Sequence, residues 1–296
     1  HRPPGPAAVA GIPAVLRADQ ETAVPTVDVR PFEVRPFEVP GAVLDWEISD
    51  EGGEPVVQLH GLTSSRYRDR VLDLDLGVGL SGTRLLRYDA RGHGRSTGRP
   101  VPEDYRWDRL ADDLLRLLDH VFPGEPVHGV GPSMGCATLL HAITRAPERF
   151  CALTLVVPST AWGTRRAKAA DYLAAADLVE AQGMAAFVEA GRLAPRPPAT
   201  LEAPQTVPDV REDLLPALLR GAASTDYPPR EAVAGICVPA AILAWTEDPA
   251  HPLSTAQALH DLIPGSHLVV AATPADLGTW PGRLHDQVVA VSGRGA

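Results

Sequence analysis

The stretch GVGPSMGCATLL, residues 129–140, decides how the rest of the chain is read. Its first residues continue the run PVHGV, and its last residues belong to the helical pattern SMGCATLLHAI. Between them, Gly131 and Gly135 stand two positions either side of Ser133. A strand that turns at once into a helix strains the residue at the turn, so its neighbours must be small for the two elements to approach. The serine oxygen then stands clear at the edge of a sheet, with a helix N-terminus behind it that favours developing negative charge. Ser133 is the candidate nucleophile.

Outward from this turn, apolar β-rich runs alternate with helical stretches. The runs are AVLDWEIS (42–49), PVVQLHG (55–61), TRLLRYDAR (83–91), PVHGVGPS (126–133), ALTLVVPS (152–159), PAAILAWTED (239–248) and HLVVAA (267–272). Several are apolar almost throughout, as strands covered on both faces are. The segment 107–122 places Leu110, Leu114, Leu117, Leu118 and Val121 on one helical face. This alternation predicts an α/β fold with a mostly parallel, doubly wound sheet, whose chemistry sits at the carboxyl ends of the strands. One long break, residues 159–238, holds helical segments and a Pro-rich piece but no strand. It reads as a helical cap inserted after the sixth strand of a core formed by 40–158 and 239–296. Residues 1–39 read as a Pro-rich N-terminal arm, in which VRPFEVRPFE (29–38) repeats a five-residue unit whose prolines suit an edge strand or arm.

Two further motifs flank the serine turn. PVVQLHGLTSS (55–65) ends a strand with His60-Gly61, and the loop after it can turn amides towards Ser133. The N–H groups of Leu62 and Met134 are the expected oxyanion donors. His60 reads as a structural hydrogen-bonder. RYDARGHGRST (87–97) reads as a hydrogen-bonded turn of Asp89, Arg91 and His93, with a phosphate cradle as the weaker alternative.

The order of an HG loop, DARGHGRS, GPSMG, a helical insertion and a late Asp-Pro-Ala-His-Pro loop resembles the α/β-hydrolase superfamily in its capped esterase, lactonase and C–C-hydrolase-like branch. The resemblance covers residues 40–292 and implies an acid after the strand that follows the insertion. That acid is Asp248, with Glu247 as the lesser candidate. It also implies a histidine in the loop after the last strand, but that loop, TPADLGTW (273–280), has none. Three groups compete as the base that a serine hydroxyl needs: His251, three residues after Asp248; His285, in the last helix; and Asp276, beside the vacant slot. The catalytic set is taken as Ser133, Asp248 and His251. The expected activity is cofactor-free hydrolysis of a small carboxylic ester or lactone through an acyl-enzyme. Two other readings stay open: a lyase, cyclase or acyl-transfer catalyst on the same scaffold, and a ligand-binding protein without turnover. Trp162, Met184 and Phe187 in the insertion suggest a partly apolar small-molecule substrate.

Bulk properties narrow the partners. The 296 residues carry a net charge of −10, which argues against nucleic acid or an anionic membrane surface as partner. Three cysteines, Cys136, Cys151 and Cys237, form no metal-binding or disulfide pattern, so no metal site is expected and a reduced, cytoplasmic setting is. No membrane span or signal segment is read. Monomer and homodimer are both compatible with the sequence.

Overall fold

The computed structural model describes residues 35–293. Residues 1–34, which hold most of the expected arm and the first copy of the repeated unit, lie outside the described residues, as do 294–296. The second copy supplies strand β1, Arg35–Val39, so the folded core begins inside the stretch assigned to the arm and not at residue 40. The strand stands at the sheet edge, where one side of its backbone makes no ladder and Pro36 is tolerated.

Seven more strands follow: β2 (Ala42–Asp50), β3 (Glu54–Gln58), β4 (Thr83–Tyr88), β5 (Val127–Pro132), β6 (Phe150–Val156), β7 (Ala240–Trp245) and β8 (His267–Ala271). They form one sheet in the order β1-β2-β4-β3-β5-β6-β7-β8. Strand β2 runs antiparallel to β1 and β4, and every other pairing is parallel. The chain moves from β3 outward to β4, then returns to place β5 on the other side of β3. That reversal opens a crevice beyond the carboxyl ends of β3 and β5, where ligands bind in sheets of this kind.

Neighbouring residues of one strand serve opposite faces. After the short helix α1 (Arg66–Val71) come α2 (Trp107–Val121) and α3 (Met134–Arg145), and Val57, Leu86 and Ile242 join the cluster under these two. Val56, Leu85 and Leu243 join the cluster that holds Trp280, Leu284 and Val288 of the last helix, Trp280–Ser292. The apolar runs arise from this two-sided burial. No described helix is long and apolar enough to cross a membrane.

Between β6 and β7 the chain leaves the sheet. A long helix, Arg165–Leu193, is broken at Gly183 by a φ of +81° and ψ of 177°, a backbone setting that favours glycine. A second helix, Leu215–Ala223, packs on it through Leu215 and Leu219 against Ala176 and Val179. Leu62 packs on both this pair and the Tyr105–Leu218 cluster, so the helical segment lies over the loop that follows β3. The segment 159–238 is not uniform: Tyr227, Val233 and Ile236 near its end pack into the main core.

Candidate active site

At the end of β5 the backbone of Ser133 adopts φ 52° and ψ −106°, strained for any residue with a side chain. Its N–H donates to Val156 O at the end of β6 (2.9 Å), which holds the turn against the neighbouring strand. The two glycines answer the need for close approach. A Cβ at Gly131 would come within 2.9 to 3.1 Å of the Gly135 backbone, and one at Gly135 would come within 3.0 Å of Leu59 Cβ. Because the Gly131 clash is with backbone, Gly131→Ala should destabilise the fold by about 1–3 kcal/mol, read as a lower urea midpoint with an unchanged slope.

The loop after β3 lies against this turn, since a side chain at Gly61 would meet Ser133 Cβ at 3.8 Å. His60 holds the loop from below. Its Nδ1–H donates to Gly61 O (2.8 Å), and its Nε2 accepts from the Ala90 N–H (2.9 Å). Burial pushes its pKa down, so it is a neutral strut, as read from the sequence. Among the described residues, neither the Leu62 N–H nor the Met134 N–H has a hydrogen-bond acceptor. Leu62 follows Gly61 in the loop, and Met134 follows Ser133 as the first residue of α3.

Opposite the serine, the chain leaving β7 makes a short turn through Asp248 and His251. Asp248 Oδ1 accepts from the Ala250 N–H (2.8 Å), and Oδ2 accepts from Trp245 Nε1–H (2.8 Å) and His251 Nδ1–H (2.7 Å). Burial works against its charge, but the bonds from His251, Ala250 and Trp245 outweigh it and hold the carboxyl down to about 2. With its proton on Nδ1, His251 presents an Nε2 lone pair to the Ser133 hydroxyl at 2.8 Å. The turn is tied down by the bond from Thr160 N–H to Ala250 O (3.1 Å). The Trp245 ring meets His251 edge-on at 5.8 Å and stacks on Trp280 at 6.1 Å. Ser133, Asp248 and His251 are thus brought into one hydrogen-bonded line.

The other candidates lie elsewhere. His285 is exposed on the last helix, and Glu247 is exposed at a φ of +59°. Asp276 caps the turn Pro274–Leu277: it accepts from the Ala272 and Thr273 amides, and those bonds hold its carboxyl below the ordinary range. The slot without a histidine is filled by this capped turn and by buried Trp280. Asp89, Arg91 and His93 lie in a local hydrogen-bonded turn, in which His93 Nδ1–H donates to Arg91 O (2.9 Å), but the Asp89 carboxylate and the Arg91 guanidinium do not pair with each other. Asp89 accepts from Arg66 and from the Arg95 amide, whereas Arg91 pairs with Asp113 of α2. The phosphate-cradle alternative fails because the Asp89 carboxylate already takes those amides. Sequence reading missed the Trp245–Trp280 stack; the signal was a tryptophan closing an apolar run three residues before Asp248.

Comparison with known proteins bears on the family and the fold. Residues 54–258 match the model of the family described as alpha/beta hydrolase fold. The chain is 31% identical over 193 residues to 3-oxoadipate enol-lactonase 2 of Acinetobacter baylyi, covering 63% of this chain and 69% of that protein. It is 33% identical over 124 residues to the dihydrolipoyllysine-residue acetyltransferase component of the acetoin cleaving system of Pseudomonas putida; the match spans 40% of this chain and only 31% of that protein. The enol-lactonase structure from Burkholderia xenovorans superposes with a TM-score of 0.67 at 21% identity, over 87% of this chain and 99% of that one, a likeness of fold.

Proposed function

We infer that this chain, which belongs to the alpha/beta hydrolase fold family, hydrolyses a carboxylic ester or lactone through an acyl-enzyme on Ser133. The observation that carries this reading is the pair of distances at His251: 2.8 Å from Nε2 to Ser133 Oγ and 2.7 Å from Nδ1 to Asp248. A neutral imidazole so placed takes the serine proton as Oγ attacks the carbonyl carbon. The carbonyl π electrons move onto oxygen, where the amides of Leu62 and Met134 stabilise the charge. The ester C–O bond then breaks, and the leaving alkoxide takes the proton from His251. In a lactone that alkoxide stays tethered to the acyl group. Water next gives a proton to His251 and adds to the acyl carbon. Collapse releases the acid and returns the proton to Ser133. Asp248, ionised down to about pH 2, fixes the imidazole tautomer and stabilises the imidazolium in both halves. The helical segment between β6 and β7 serves as a cap over this centre, since it packs on Leu62. Hydrolysis is favoured over a reaction without a base because a nitrogen lies within bonding reach of the serine.

The test is chemical labelling. A fluorophosphonate probe at pH 7 should modify the folded wild-type protein, with the adduct mapped to Ser133 by peptide mass. Ser133→Ala should give no adduct. A folded wild-type protein that stays unlabelled, or is labelled elsewhere, removes the reading.

A further inference from the structure

We propose that Arg68 is a specificity-determining residue that recognises an ionised carboxylate on the substrate, at a distance from the bond that is broken. This deepens, and rests on, the hydrolase reading given above. The site beyond Asp248 is a cavity of about 400 Å3, lined by Trp245 and Asp248 from the core and by Phe187 and Val188 from the cap. Arg68, Arg192 and Arg196 also line it, and Asp248 is its one acidic liner among the described residues. That carboxylate already serves His251 and Trp245. In a chain of net charge −10, the cavity is therefore locally positive.

The three arginines differ in how they are held. Arg192 is exposed and pairs with Glu189, and Arg196 donates through one terminal nitrogen to the carbonyls of Thr200 and Ala203 in its own loop; of the three, Arg68 is the one bonded to the loop after β3. Arg68 is partly buried and donates through Nε to Thr206 Oγ1 (2.9 Å) and through one terminal nitrogen to Thr63 O and Oγ1 (2.8 and 3.0 Å). Its other terminal nitrogen has no acceptor among the described residues. It also has no ion-pair partner: Asp69 is taken by Ser64 and Asp209 by Ser65, and both act on Arg68 only from a distance. A guanidinium removed from water and left without a counter-ion is unfavourable unless an anion completes it. Its planar fork suits a carboxylate.

The experiment compares p-nitrophenyl hemisuccinate with the neutral p-nitrophenyl butyrate, for wild type, Arg68→Gln and Arg68→Lys. Wild type should favour the acidic ester in kcat/KM. Arg68→Gln should lose about tenfold or more on the acidic ester through KM, and stay within about twofold on the neutral one. Arg68→Lys, which keeps the charge, should retain more of the preference than Arg68→Gln. A residue that only clamps Thr63 would lower both esters alike, and that result overturns the proposal. Binding of free succinate to Ser133→Ala protein, followed by calorimetry, gives a readout that does not need turnover. Succinate bound by Ser133→Ala and lost in Ser133→Ala/Arg68→Gln upholds the assignment; no succinate binding, or binding indifferent to residue 68, overturns it. Undiminished hydrolysis by Ser133→Ala would sink the acyl-enzyme reading instead, leaving the succinate result to decide the role of Arg68.

Discussion

Replacing His251 by alanine should lower kcat for ester hydrolysis by about ten-thousandfold and leave KM nearly unchanged. The substitution removes the one ring nitrogen that accepts from Ser133 Oγ, at 2.8 Å, so the attacking oxygen keeps its proton. Donors to the oxyanion and the binding cavity are untouched, which is why residual turnover above the uncatalysed rate is expected rather than none. Two controls separate this from a loss of any nearby charge. His285→Ala, on the exposed side of the last helix, and Asp276→Asn, at the capped turn, should both stay within about twofold of wild type. Steady-state kinetics on a short p-nitrophenyl ester decides it. Equal losses in His251→Ala and His285→Ala would remove His251 from the base position.

Asp248→Asn should cost a similar factor in kcat, again about ten-thousandfold, with the fold intact. An asparagine there can present an N–H to the imidazole where the carboxylate presents a lone pair. The ring then carries its proton on Nε2, facing a serine that needs an acceptor. Stability gives a second readout, with its sign set by the shifted carboxyl. Asp248 titrates at about 2 in the fold, below its ordinary 3.8. Its ionised form therefore stabilises the protein fully above the ordinary value, and that contribution is lost as pH falls through the folded one. At neutral pH the contribution is roughly 2 kcal/mol. The Tm gap between wild type and Asp248→Asn should be widest near neutrality and narrow from about pH 4 to pH 2. A gap that does not change with pH would mean that the bonds from His251, Ala250 and Trp245 do not depend on charge.

The parts of this molecule legible in the sequence are those where backbone geometry demands a residue type. Strands β3, β5 and β7 show as apolar runs because both their faces are covered. The serine turn shows because a side chain at 131 would clash with the Gly135 backbone and one at 135 would crowd Leu59. His60 shows as a strut because it ends a buried strand. Distances across loops do not show in this way. His251 was preferred to His285 and Asp276 on sequence without being fixed by it, since a spacing of three after Asp248 suits a surface turn as well as a proton relay. What placed it was the bend after Trp245, set by a positive φ at Glu247, and the tie from Thr160 to Ala250. For strand β1, Pro36 left an edge strand and an arm equally open, and the sheet edge is where such a strand is accepted. The open valence of Arg68 depends on Thr206, 138 residues away, and no local pattern records it.

Placing the proposed acid and base three residues apart on a single turn changes what the end of the chain is for. The proposed proton relay is spliced from two strand ends, β5 and β7, and the last strand contributes no atom to it. A slip of β8 along β7, or a change of length in residues 273–279, would disturb a cap and a tryptophan stack but would not lengthen the path of the proton. On this proposal the carboxyl-terminal segment becomes a buttress, resting on the end of β7 through the pairing of Ala271 with Trp245 and through the ring of Trp280 stacked on Trp245. Insertions, fusions and shortened turns belong at that buttress, where the two remaining splice points do not feel them.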